Sequence, residues 1–232
     1  MSAGAGGAGR RADPQLPAGA AGAGHDEEGA EPGVGDGRRL RRERNRQAVV
    51  GAMLDLYREG TLRPSSAEVA ERAGLSPRSL FRYFEDVDDL CRAAIARHVE
   101  RIRPLNELTV DPGDPPAVKA TALAAQRVRV FGAIGSVGVA ARLQAPFHDV
   151  IQAELTVVRR TWRQQVSELF AAELADLGPA AAAALAAADV LCSFESYLLL
   201  RDDHGLAPAR IRTVLADGLV ALLAPRGPRG PA

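Results

Sequence analysis

A chain of 232 residues is long enough to bury a real core, as one sizeable domain or two small ones. Aromatic residues make up only 4% while alanine, leucine and valine abound, so the core must come from closely packed helices and the fold class expected is all-α. Formal charge sums to zero, yet it is segregated: residues 38–46 (RRLRRERNR) hold six arginines against Glu43, which forms a basic arm that the average hides.

In chain order, residues 1–37 are Gly/Ala/Pro-rich without periodicity and read as a disordered tail, and 226–232 as a short second one. The basic arm leads into a helix over about 44–58, with Val50, Leu54 and Tyr57 on one face, ended by Gly60 and Pro64. Ser65-x-x-Glu68 is a capping box that opens a second helix, which Gly74 ends. Ser76 caps a third, with Pro77 at its first position. Asp86 or Asp88 caps a fourth over about 88–103. Further helices are expected at about 116–131, 134–144, 148–177, 179–201 and 208–224, separated by Gly135, Pro146, Gly178-Pro179 and the turn around Gly205-Pro208. The last follows the amphipathic template through Ile211, Val214, Leu215, Leu219 and Leu222.

Residues 65–84 (SSAEVAERAGLSPRSLFRYF) supply the parts of a helix-turn-helix: a supporting helix, a turn at a glycine, and a second helix with a polar outer face. Val69, Ala70, Ala73, Leu75, Leu80 and Phe84 would hold the pair together. Pro77, Arg78, Ser79, Phe81, Arg82 and Tyr83 then lie on or beside the exposed face, where arginine can read guanine edges and an aromatic ring or proline can press on thymine methyls. Ser65, Ser66, Ser76 and Tyr83 suit phosphate oxygens, and Arg44 and Arg46 belong to the arm that would grip the backbone. The plainer alternatives are an ordinary helical hairpin for 65–84 and a solvated charge run for 38–46.

The run AEVAERAGLSPRSLFRYFEDVDDL, with the helix before it, resembles the DNA-binding domain of the TetR (tetracycline repressor-like) family through Ala70, Ala73, Gly74, Leu75, Ser76, Leu80, Phe81, Phe84 and Leu90. The resemblance covers about 45–90. It departs at Val87, where many members carry a phosphate-contacting lysine, and at Phe81, where a tyrosine is usual; Val87 also sits among the acids Glu85, Asp86, Asp88 and Asp89.

The resemblance implies a three-helix head with basic arm over 38–90 and a larger helical effector-binding and dimerisation domain over 91–225. The partners it implies are a double-stranded palindromic DNA operator, a small-molecule effector that releases it, and a second copy bound through the last two helices. Phe131, Phe147, Trp162 and Phe194, with Glu195 set in an apolar helix, are the candidate effector-site residues; His148 is read as a helix-start residue.

The rival readings are a helical enzyme or a protein-interaction module whose helix pair is only structural. The sequence has no GxSxG, Walker, dinucleotide or HExxH motif, and its four histidines are dispersed, so neither a catalytic residue nor a metal or cofactor is expected. Cys91 and Cys192, far apart and without ligand spacing, read as buried thiols. The apolar stretches near 130–143 and 179–200 are respectively too short and interrupted by Asp189 and Glu195, so the expectation is a cytoplasmic protein without a membrane span.

Overall fold

The computed structural model describes residues 34–225; residues 1–33 and 226–232, where most of the expected tails fall, lie outside the described residues. Ten α-helices and no strands occur among the described residues.

Helix α1 spans Val34–Arg58, so the basic segment 38–46 is helical rather than a flexible arm, and the helix begins well before the expected position near 44. Arginine, glutamate and glutamine are good helix formers, and Gln47 Nε2 donates to Glu43 Oε1 at 2.7 Å one turn away. The composition of the preceding tail conceals this. The second half of α1 buries Val49, Val50, Met53, Leu54 and Tyr57.

Helix α2 (Ser66–Arg72) opens with both halves of the expected capping box: Glu68 N–H donates to Ser65 Oγ at 3.2 Å and Ser65 N–H donates to the Glu68 carboxylate at 2.7 Å. Gly74 then takes φ 69°, a left-handed turn that L side chains rarely adopt. Helix α3 (Pro77–Leu80) starts on the Ser76 cap but is shorter than expected. Its continuation tightens, with Arg82 N–H donating to Ser79 O and Tyr83 N–H to Leu80 O, three residues apart. That tightening still brings Phe84 beside Leu80 in the core with Val69 and Ala70.

Helix α4 (Val87–Ile102) is capped by Asp86, whose carboxylate accepts from Asp89 N–H at 2.8 Å. It belongs to both halves of the molecule. Leu90, Cys91 and Ala94 complete the core around α1–α3, together with Val137, Ala140, Ala145 and Ile151 from beyond it.

The two helices expected at 116–131 and 134–144 are one, α5 (Pro116–Gln144), bent where Gly135 has φ 48° and ψ −139°. With its short extension to Phe147 it is long and apolar enough to cross a membrane by length and composition. In this fold it is the central core helix, and it buries Lys119, Gln126 and Arg127 along with Leu123, Val130 and Phe131.

The stretch 148–177 divides at Phe170 into α6 (Asp149–Leu169) and α7 (Ala171–Asp176). The stretch 179–201 divides into α8 (Ala181–Leu191) and α9 (Phe194–Leu198), because Ser193 accepts from Ser196 N–H and restarts the helix; a π-turn (Leu199–Asp203) follows. Helix α10 (Pro208–Leu223) lies along α5 and buries Ile211, Leu215, Leu219 and Leu223, as its sequence pattern predicts.

Two buried cations lie within the body. Lys119, the only lysine in the sequence, donates to Glu173 and to the Pro112 carbonyl at 2.8 and 2.9 Å. Arg127 is fully buried and is held by neutral oxygens: Gln126 and Gln165 side chains at 2.6 Å each, and the Trp162 carbonyl at 3.1 Å. Burial pushes its guanidinium down to about 10, still protonated at neutral pH.

Candidate nucleic-acid interface and body site

The face of α3 and the turn after it is solvent-facing. Pro77, Arg78, Phe81 and Arg82 are exposed, Phe81 by 48% despite its ring, while Ser79 and Tyr83 are half-buried. A single exposed phenylalanine is ordinary on a protein surface; here it stands between two exposed arginines, so the face is basic with an apolar centre.

The serines are more engaged than expected. Ser65 Oγ donates to Glu68 and accepts from its amide, and Ser76 Oγ accepts from Ser79 N–H at 3.2 Å and lies 2.9 Å from Ser79 Oγ. Their hydroxyls hold the helix starts; Ser66 is half-buried.

The overhanging first half of α1 runs beside the turn that follows α3. Arg38, Arg41, Arg42, Arg44 and Asn45 face Arg82 and Tyr83 across a groove of about 950 Å³. The spacing 38, 41/42, 45 is one face of a helix. Asn45 Nδ2 donates to Tyr83 Oη at 2.7 Å, which pins the groove wall and leaves the phenolic proton free to donate. Arg46 is half-buried, with its guanidinium 4.9 Å above the Phe84 ring, so it ties α1 to the core while Arg44 stays exposed. Neither the Asn45 bond nor the Arg46 contact was visible in the sequence; a polar residue at a half-buried helix position is the only hint.

The acidic cluster in residues 85–89 is largely occupied within the fold. Asp86 caps α4, Asp89 pairs with Arg92 at 3.4 Å, and Asp88 pairs with His148 at the start of α6. Acids at a helix N-terminus also complement its dipole. Val87 is exposed and offers no cation.

The candidate effector residues part company. Phe131, Trp162 and Phe194 are buried and meet, with ring centroids 5.0 Å (Phe131–Trp162) and 5.6 Å (Phe131–Phe194) apart; Tyr197, not anticipated, joins at 5.6 Å from Phe131. They form a packed aromatic core more than an open lining. Phe147 is 68% exposed at the α5–α6 turn under Arg63, away from them, because Pro146 turns the chain outward there. Glu195 is an exposed residue, bridged by Arg142 at 2.8 Å and Arg159 at 2.9 Å. Burial raises its carboxyl, but the two arginines win and draw it down to about 2.

Among the polar side chains that sequence reasoning missed, His98 stands apart. His98 is buried on α4, and its ring is held neutral, down at about 4, first by desolvation and then by Arg101 and Arg58. Since the unfolded ring takes its proton near 6.5 and the folded one only near 4, stability is expected to fall as pH drops through that window, by up to about 3 kcal/mol. Urea titrations between pH 7 and 4.5 should show this slope in the wild type and a shallower one in His98→Leu; equal slopes would remove the assignment.

Head and body are joined by a buried polar contact, in which Gln144 Nε2 donates to Tyr57 Oη at 2.9 Å and Cys91 Sγ lies 3.7 Å from Gln144 Oε1. Burial pushes the Cys91 thiol up to about 11, and that of Cys192 to about 12, so both favour the protonated thiol at neutral pH. Among the described residues there is no cluster of histidine, cysteine and acids able to hold a metal.

An all-α chain with a helix-turn-helix head and a helical body is thus defined. The same fold is found in solved structures described as TetR-family transcriptional regulators. A transcriptional regulator from Rhodococcus sp. Rha1 superposes with TM-score 0.59 at 20% identity, over 77% of this chain and 95% of that one. A TetR-family transcriptional regulator from Streptomyces coelicolor does so with TM-score 0.58 at 22% identity, over 76% and 81%. No protein-family model matches the sequence, and no curated protein matches it significantly.

Proposed function

We propose that the chain is a DNA-binding transcriptional regulator that grips a palindromic operator as a homodimer and is released from it by a small-molecule effector, with repression in the cytoplasm as its default role. The observation that carries this is the exposed Arg78–Phe81–Arg82 face set beside the basic groove of α1. Arg78 and Arg82 would read base edges, with Pro77 and Phe81 packing on thymine methyls, while Arg44, Ser66, Ser79 and Tyr83 contact phosphates. The serines Ser65 and Ser76 act through the helix starts they cap. The likeness to solved regulators supports a regulator over an enzyme.

Dimerisation is assigned to α8 and α10, whose outer sides expose Val190 (66%) and Val220 (38%). Two heads would then enter successive major grooves about 34 Å apart. The effector site is assigned to the body beside Trp162, and its occupant must favour the DNA-incompetent arrangement to shift the population.

The test is selection of a bound sequence from random duplex DNA by the full chain, followed by titration of that duplex. Arg78→Ala and Arg82→Ala should each cost about 1–3 kcal/mol and relax the preference at one base pair. Failure to select any sequence, or unchanged affinity in both variants, ends the regulator reading.

A further inference from the structure

A small cavity of about 60 Å³ lies where α4, α5 and α6 meet. Ile95, Ile102, Leu155 and Trp162 give it apolar walls, and Arg142 and Glu154 stand among the residues around it. The other polar wall residue is His98, 5% exposed, whose Nε2 has no hydrogen-bond partner among the described residues. Its Nδ1 lies 3.4 Å from an Arg101 guanidinium nitrogen. A guanidinium only donates, so Nδ1 is the acceptor and the ring proton is assigned to Nε2. The Ile134 carbonyl is near enough to favour the protonated ring, but it does not reach hydrogen-bond geometry at that nitrogen. A buried N–H without an acceptor is costly, and native folds retain few of them.

We propose that this cavity receives a neutral, mostly apolar small molecule that presents a single hydrogen-bond acceptor, such as a ketone, ester or ether oxygen, to His98 Nε2. The inference rests on the reading of the body as an effector module and names the chemistry of the effector. An anion is disfavoured: Arg142, the cation at the cavity, is already paired with Glu195 at 2.8 Å. At about 60 Å³ the cavity is well under the roughly 150 Å³ that accepts benzene. A ring-sized molecule therefore has to part the Ile95 and Ile102 side of α4 from the Leu155 side of α6, so occupancy and helix separation are a single event.

Acetophenone and α-methylstyrene serve as probes, since they share a shape and differ in whether the group at the branch is C=O or C=CH₂. Binding to the full chain is read by calorimetry, by the rise in melting temperature, and by the single indole N–H resonance, because Trp162 is the only tryptophan and lines the cavity. Acetophenone should shift that resonance saturably and bind at least tenfold more tightly than α-methylstyrene. His98→Leu should bring the ratio close to one. Ala141→Leu, which fills the cavity from α5, should abolish both and carries the test if His98→Leu does not fold.

Equal binding of the two probes to the wild type, an unchanged ratio in His98→Leu, acetophenone binding unaffected by Ala141→Leu, or no indole shift overturns the proposal. These measurements use no DNA. Loss of the ligand proposal with sequence-selective duplex binding intact leaves the regulator reading standing, and the reverse result separates the two in the other direction.

Discussion

Replacing Arg38, Arg41 and Arg42 together by alanine is expected to weaken duplex binding by about 100-fold or more at moderate salt and to reduce the slope of log K against log[salt] by close to 3, at about 0.9 for each phosphate that is no longer neutralised. All three line the groove that faces Arg82 and Tyr83. Alanine is the best helix former, so α1 should persist and the loss should be electrostatic. The loss should be much the same for every sequence, in contrast to the base-specific losses at Arg78 and Arg82. Glu43→Pro supplies the complementary variant. It keeps every arginine but breaks the helix that presents them, at about 3 kcal/mol to the helix. If the rigid overhang matters, this variant should approach the triple replacement in affinity. Full affinity in Glu43→Pro would mean that the arginines act as a loose arm, and an unchanged salt slope in the triple variant would place the phosphate contacts elsewhere.

The second large effect is expected in the body. Phe131→Ala should destabilise the protein by about 3–5 kcal/mol in urea unfolding, with little change in the slope m. Its ring is fully buried and contacts Trp162, Phe194 and Tyr197 at centroid distances between 5.0 and 5.6 Å. Because those three rings come from two other parts of the chain, no single neighbour can move in to close the void. Domains of this kind have about 5–15 kcal/mol in hand, so the change removes a large share of it. A loss under about 1 kcal/mol would show that the aromatic cluster is a loose lining after all.

The head was the most legible part of the sequence because its signals are local. Ser65-x-x-Glu68, Gly74 and Ser76-Pro77 act through neighbours within four residues, and all three occur as read. The α1 overhang was hidden because a glycine-rich tail runs into it without a break in composition. Gly135 was read as a separator; glycine's freedom at φ 48° lets α5 bend there and continue. The body site was the least legible, since burial and partnership there are set by residues far apart in sequence. Glu195 looked like the polar member of a pocket, yet Arg142 and Arg159 claim it from positions 53 and 36 residues away. Phe147 looked like a wall and is instead a surface ring at a turn. His98 gave no sign at all, because a histidine in an amphipathic helix looks the same whether its ring meets water or a void.

The core beneath α3 is not made by the head alone. Val137, Ala140, Ala145 and Ile151 belong to α5 and α6 and the turn between them, yet they share one apolar cluster with Leu80, Phe84 and Leu90. A cut after residue 90 would strip that cluster of its floor and leave Tyr57 without Gln144. Head and body should therefore melt together: cooperativity of unfolding is shared across both, and stability gained anywhere in the body steadies the helices of the head.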